Sequence, residues 1–310
     1  SFGCGPDAFL TEETRNLLKR RGKTLTLLKI DDVSHIGSLK LRVRSTIESL
    51  RRATQDANST SVLPFATTPV YRKADRRRKI IAPFFTPFFS PLMPPLMKLA
   101  GYDVDILPPS DATSCDCGLR YANNEVCYPA TLIVGDIVKA FKEGRYDPEQ
   151  TAVAITQTGG QCRASNYISL IKRALTEAGF GQTPVVSVSF SSGLRNEQPG
   201  FRINWFRLIP VVLNALLFSD SIAKLYYAAA VREKVSGEAF RLKERYLRKA
   251  QSVIERNASH ELLPLLEQAV NEFERITQSG ERPRVGIVGE IYLKFNPFAQ
   301  KNLTEWLVGQ

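Results

Sequence analysis

The chain has 310 residues, 43% of them hydrophobic, and a formal net charge of +11 at pH 7. This length and composition allow a large buried core, so we expect a globular protein with more than one lobe. Five cysteines, an odd number, exclude a disulfide scaffold and favour a reducing compartment, the cytoplasm by default, with thiols kept for reactivity or ligation.

The positive charge fits a nucleic acid, an anionic cofactor or an acidic protein partner. The densest basic cluster, at 72–79, lacks interleaved aromatic residues, and no zinc-finger, RNA-recognition or homeodomain pattern accompanies it, so we expect no nucleic-acid partner. The longest apolar stretch, 206–218, contains Arg207 and Pro210 and is shorter than the roughly 20 residues that span a bilayer, so we expect no membrane segment.

Residues 1–55 predict the end of a first α/β lobe. Cys4 lies in a Gly-Cys-Gly-Pro turn ahead of a helix signal, and residues 24–30 are rich in β-formers. The polar and basic residues at 56–78 predict a linker between this lobe and the next.

Residues 79–202 predict a Rossmann-like α/β domain. Short apolar strands alternate with capped helices, which is typical of a parallel sheet covered on both faces. The predicted strands are 79–83, 104–107, 151–156 and 184–189. The predicted helices are 88–100, 128–143 and 165–178.

The last third of the chain predicts helices followed by a return to α/β structure. Residues 203–279 form a helical segment with breaks near Ser219, Gly237 and His260. A strand at 284–290 and a helix at 298–308 predict that a further α/β lobe starts at 280–310 and is cut short, so we expect a fragment of a larger polypeptide. The fold class is therefore α/β, with Rossmann-like parallel-sheet lobes and a helical insert.

Cys162 lies in a glycine-flanked turn between a predicted strand and a predicted helix. A cysteine at a helix N-terminus faces unpaired N–H groups and the positive end of the helix dipole, which favours the thiolate. In an open α/β sheet the ligand crevice lies outside the carboxyl ends of the strands, where this turn falls. The position favours chemistry over packing.

Cys127 occupies the corresponding place one helix earlier, directly before Tyr128 and Pro129. Both thiols are thus expected at one crevice, but the spacing matches no compact metal signature, which leaves ligation, a catalytic or redox thiol, and a structural cysteine open. Cys115 and Cys117 fall in a polar stretch that predicts a loop without helix or strand support.

Three further residues and one carboxylate are candidates for cofactor binding. Gly159 and Gly160 offer backbone N–H groups to a phosphate, with Arg163 beside them, although the lysine of a P-loop is absent. Glu290 at the end of a predicted strand is placed for a functional role, or is only a cap or a solvated group.

Three stretches of the chain resemble the 2-hydroxyacyl-CoA dehydratase superfamily, and more narrowly the dehydratase-like region of acyl-CoA dehydratase activase-related proteins. They are Asn123–Ala130, Thr156–Tyr167 and Arg284–Tyr292, and residues 1–8 and 29–32 look like the same group. The Cys162 motif is the most specific part of this resemblance.

The resemblance implies an oxygen-sensitive protein with a [4Fe-4S] iron–sulfur cluster held by cysteines of different lobes. Cys127 and Cys162 match the cluster ligands, Cys4 is a third candidate, and Cys115 and Cys117 fall on no pattern of the family. The implied partners are an ATP-dependent activator ATPase, an acyl-CoA, and other lobes of a larger chain or a second subunit. The implied activity is a dehydratase-like lyase or an ATP-dependent reductase component; a non-catalytic docking module of a large activase-related polypeptide is the alternative.

Overall fold

The computed structural model describes residues 68–122, 126–157, 167–189 and 197–309, with isolated positions between 14 and 47. All but one residue of the predicted strand at 24–30 lies outside the described residues. So do Cys4 and the turn that carries Gly159, Gly160, Cys162 and Arg163.

The α/β part is built on a parallel sheet of four strands in the order β2-β1-β3-β4. These are β1 (Lys79–Ala82), β2 (Val104–Ile106), β3 (Thr151–Gln157) and β4 (Val185–Ser189). The register pairs Ile80 with Val104 and Ala152, and Val153 with Val185. All four strands and their parallel arrangement were predicted from the alternation of short apolar runs with helices, and the structure confirms them.

Successive strand residues alternate between two hydrophobic cores, because side chains along a strand point to opposite faces. On one face Ile81, Val153 and Val185 pack with helices α3 (Tyr128–Lys142) and α4 (Tyr167–Glu177). On the other face Ile80, Ala152 and Val186 pack with a second core cluster that draws on α1 (Met93–Leu99), Tyr71, Tyr102 and Phe201. Both faces are covered, which explains why the strands are apolar throughout.

Helix α2 (Ala112–Tyr121) corrects a prediction, because its cysteines were expected in a loop. Asp111 caps it: the Ser114 N–H donates to Asp111 Oδ1 at 2.8 Å, and the Asp111 N–H donates to Ser114 Oγ at 3.2 Å. Gly118 and Gly135 let α2 and α3 approach closely, since a Cβ at Gly135 would overlap the main-chain oxygen of Ser114. Cys115 and Cys117 therefore lie on a helix packed against α3.

The helical segment consists of α5 (Trp205–Ala230), α6 (Glu238–Glu255) and α7 (Leu262–Ile276), which share a core with Phe88, Leu92 and Leu96 of the α/β part. The breaks predicted near Gly237 and His260 are confirmed: Gly237 has φ +80°, and Ser259–Glu261 is a 3₁₀ turn. The break predicted near Ser219 is wrong. Ser219 is buried within α5, and its hydroxyl donates to the Leu216 carbonyl at 3.0 Å, so it does not end the helix.

Helix α5 is longer than the apolar stretch seen in the sequence. Within the described part of the chain it is the one helix whose length and composition would allow it to cross a membrane. One third of its most apolar window is buried, and α5 packs against α6 and α7, which is consistent with a helix of a soluble protein.

The strand predicted at 284–290 is not formed. This stretch pairs with no strand among the described residues, and Val285 and Val288 are 63% and 93% exposed. The chain then forms two short helices, α8 (Ile291–Phe295) and α9 (Leu303–Val308), and α8 places Tyr292 in the core beneath α3. The predicted helix at 298–308 is thus confirmed only over its second half. The domain boundaries drawn from the sequence stay predictions.

Candidate functional site

The topology places a crevice at the carboxyl ends of β1 and β3. The chain leaves β1 through α1 on one face of the sheet and leaves β2 and β3 through α2, α3 and α4 on the other face. A ligand crevice in an open α/β sheet lies at such a change of direction. β3 ends at Gln157 and α4 begins at Tyr167, which contacts Cys127 at the start of α3.

Cys127 is the residue before α3, as the sequence predicted. Its side chain makes no capping hydrogen bond to the helix, its thiol is in no disulfide, and it is half-buried against the core of the α/β part. Its Sγ lies 3.4 Å from the hydroxyl oxygen of Tyr167, the first residue of α4. Cys127 therefore stands at a helix N-terminus where two neighbouring helices begin.

Cys115 lies close to Tyr128, the first residue of α3. Burial, followed by the electrostatic interaction with Cys115, raises the pKa of Tyr128. Cys115 and Cys127 are both half-buried and pack on the same core. Two thiols thus lie near the start of α3: Cys127 directly precedes it, and Cys115 interacts with its first residue, Tyr128. The Asp111 and Ser114 capping pair was the sequence signal for helix α2, and with it for the position of Cys115.

Glu290 has a defined structural role. It is the N-cap of α8, and its carboxylate accepts a hydrogen bond from the Leu293 N–H at 2.9 Å while staying exposed to solvent. Glu290 is therefore a helix cap, one of the roles that the sequence left open. It follows an irregular segment and not a strand. Its binding of a cofactor stays a prediction.

No group of three or more histidine, cysteine or acidic side chains that would hold a metal ion occurs among the residues that the structure describes. Of the predicted ligands, Cys127 is among the described residues, whereas Cys162 and Cys4 are not. The phosphate-binding candidates Gly159, Gly160 and Arg163 also lie outside the described residues.

A buried polar cluster that sequence reasoning missed ties α3 to α8. The Ser110 hydroxyl donates to Asp136 Oδ2 at 2.8 Å, the Tyr292 hydroxyl donates to the same oxygen at 3.3 Å, and Asn296 Nδ2 donates to Ser110 Oγ at 3.0 Å. Burial raises the pKa of Asp136 to about 6, although the Ser110 and Tyr292 hydroxyls donate to its carboxylate. The signal was an aspartate between Ile133 and Ile137 on the apolar face of a predicted helix.

No protein-family model, curated protein or solved structure matches this chain. The class that the fold defines is an α/β protein with a Rossmann-like parallel sheet.

Proposed function

We propose that this protein is an iron–sulfur component that resembles 2-hydroxyacyl-CoA dehydratase and accepts a low-potential electron from an ATP-dependent activator. The observation that carries the proposal is the position of Cys127. It presents a thiol outside any disulfide at the start of α3, in contact with Tyr167, the first residue of α4, and Cys162 precedes Tyr167 by five positions in the sequence.

Cys127 suits cluster ligation chemically. Iron–sulfur clusters are held by thiolates, and a helix N-terminus stabilises a thiolate through its unpaired N–H groups and its dipole. The Tyr167 hydroxyl lies 3.4 Å from Cys127 Sγ, close enough to donate a hydrogen bond to a ligating sulfur. A hydrogen bond to a ligating sulfur raises the reduction potential of a cluster, which makes it a better electron acceptor.

The chain length allows Cys162 to share this site. Cys162 precedes Tyr167 by five residues, so the two Cα atoms are at most about 18 Å apart. Cys4 is the third ligand proposed, and further ligands come from other lobes of a larger chain or from a second subunit. When bound, the [4Fe-4S] cluster supplies one-electron transfer.

The surface charge supports the partners proposed with this function. A net charge of +11 suits an acidic face of an activator ATPase or the phosphates of an acyl-CoA, and the proposed location is the cytoplasm. Gly159, Gly160 and Arg163 would bind phosphate groups at the same edge.

A docking module is the second candidate, and one feature of α5 favours it. A row of apolar side chains along this helix faces solvent: Phe206 is 96% exposed, Leu213 53% and Leu217 67%. Such a row is typical of a surface that packs against another chain.

Electron paramagnetic resonance under strict anaerobiosis tests the proposal. After reconstitution with iron and sulfide and reduction with titanium(III) citrate, the wild type is expected to give the spectrum of a reduced cluster. Cys127→Ser and Cys162→Ser should each lose it, whereas Cys117→Ser, a thiol on α2 outside the proposed ligand set, should keep it. A wild-type protein without a signal would leave the docking module as the better account.

A further inference from the structure

A cleft of about 830 Å³ lies between the C-terminal end of α5, the irregular segment 280–287 and the short helices α8 and α9. This volume is in the range that holds a small organic ligand. None of the cysteines, glycines or acidic residues of the proposed cluster site lines this cleft, so it is a separate feature of the molecule.

Four cationic side chains and one carboxylate line the cleft: Arg232, Arg282, Arg284, Lys294 and Glu281. Within the described parts of the chain, none of the four cations forms an ion pair with a carboxylate. The protein thus brings four positive charges together and leaves most of that charge uncompensated. Like charges held together in this way repel one another, and an anionic ligand relieves the repulsion.

Two of the arginines are held by the end of α5. Arg232 Nε donates to the Ala228 carbonyl at 3.0 Å, and Arg282 Nε donates to the Val231 carbonyl at 3.2 Å. These bonds use one nitrogen of each guanidinium group, and the terminal nitrogens of both have no hydrogen-bond partner among the described residues. A guanidinium fixed in this way retains the paired donors that bind a phosphate in a bidentate manner.

The rest of the lining is mainly apolar. Val285, Ile287, Leu307 and Val308 contribute aliphatic side chains, and Phe295 contributes an aromatic ring that is 37% exposed. These apolar groups would contribute no binding free energy to a bare inorganic anion, because such a ligand has no apolar surface to bury against them. The lining suits a molecule that carries its charge at one end and apolar surface at the other.

We propose that this cleft binds an organic phosphate, that is, a diphosphate or triphosphate group attached to an apolar moiety. A single carboxylate would neutralise only one of the four cations, whereas a diphosphate brings two or three negative charges. The guanidinium groups of Arg232 and Arg282 hold the phosphate, Arg284 and Lys294 add charge, and the aliphatic residues contact the apolar moiety.

Isothermal titration calorimetry on the full chain at low salt, without iron, tests this proposal. The probes are ATP, geranyl diphosphate and inorganic pyrophosphate, which share the phosphate chemistry and differ in the apolar part. We expect at least one organic phosphate to bind about tenfold or more tightly than pyrophosphate, a difference that burial of a few CH₂ groups supplies. Tighter binding of ATP identifies an aromatic moiety, and tighter binding of geranyl diphosphate an aliphatic one.

Single substitutions connect the binding to the cleft. Arg284→Gln and Lys294→Gln should each weaken binding of the tighter organic phosphate about tenfold, because each removes one positive charge from the cleft. Arg120→Gln, an exposed arginine on α2, is the matched control and should bind like the wild type. The proposal is overturned if no organic phosphate binds more tightly than pyrophosphate, or if the Arg284 and Lys294 variants bind as the Arg120 control does.

Discussion

Cys127 and Tyr167 join two helices at the carboxyl edge of the sheet: Cys127 Sγ lies 3.4 Å from the Tyr167 hydroxyl oxygen. Cys127 precedes α3, and Tyr167 is the first residue of α4, which follows the segment that contains Cys162. This contact holds the start of α3 against the start of α4.

Removing the Tyr167 hydroxyl should make the proposed cluster harder to reduce. A hydrogen bond worth about 1 kcal/mol corresponds to about 40 mV in a one-electron couple, so Tyr167→Phe should lower the reduction potential by about that amount. Potentiometric titration followed by electron paramagnetic resonance measures it. Tyr121→Phe is the control, because the Tyr121 hydroxyl accepts from Lys142 and contacts no cysteine that the structure describes. Equal potentials in the two variants would show that the hydroxyl does not act on the cluster.

The close approach of α2 and α3 should not tolerate a methyl group at Gly135. The added Cβ would overlap the main-chain oxygen of Ser114, which cannot rotate away, so Gly135→Ala should lower the free energy of unfolding by about 3 kcal/mol. Urea denaturation measures this change. Gly286→Ala, where a Cβ meets nothing within 4 Å, should leave stability nearly unchanged. If both alanine variants unfold alike, the two helices do not pack as described.

The buried Asp136 should make stability depend on pH. Its pKa is raised from 3.8 to about 6, so the folded state holds its proton more tightly than the unfolded state does. The protonated carboxyl group therefore stabilises the folded protein at low pH. This stabilisation is lost as pH rises from about 4 through 6. The difference corresponds to about 3 kcal/mol.

Asp136→Asn tests this linkage, because asparagine is neutral at every pH and has a similar shape. The free energy of unfolding of the wild type minus that of the variant should fall as pH rises from 4 to 7, by about 2 kcal/mol. Urea denaturation at several pH values in this interval gives that difference. A difference that stays constant over the interval would mean that Asp136 titrates at its ordinary pKa in the folded protein.

Two substitutions on α5 test which side of this helix faces solvent. Leu217 is 67% exposed and Ile222 is fully buried, so Leu217→Glu should change stability by no more than about 0.5 kcal/mol. Ile222→Glu would bury an unpaired carboxylate and should cost more than about 4 kcal/mol. Thermal unfolding by circular dichroism compares the two. A large loss of stability in Leu217→Glu would mean that the exposed row is covered within the folded chain.

The sequence predicted the sheet well, because buried parallel strands read as short apolar runs between capped helices. It also placed Cys127 at the start of a helix, since Pro129 is favourable only in the first turn. It did not predict α2, whose formation depends on the Asp111 capping pair and on tertiary packing against α3. Polar composition alone favoured a loop there.

The strand predicted at 284–290 failed for a different reason. Its valine and isoleucine residues have the composition of a strand, but a strand needs a partner, and among the described residues none pairs with it. The Asp136 cluster depends on Ser110, Tyr292 and Asn296, which are far apart in sequence, so only the folded chain brings them together.

The iron and acid-labile sulfide content of protein purified and reconstituted without oxygen tests the central proposal most directly. We predict a brown protein with about four iron and four sulfide ions per cluster, lost in Cys127→Ser and in Cys162→Ser and retained in Cys117→Ser. A colourless wild-type protein without bound iron would contradict the proposal, as would serine variants of Cys127 and Cys162 that bind as much iron as the Cys117 control.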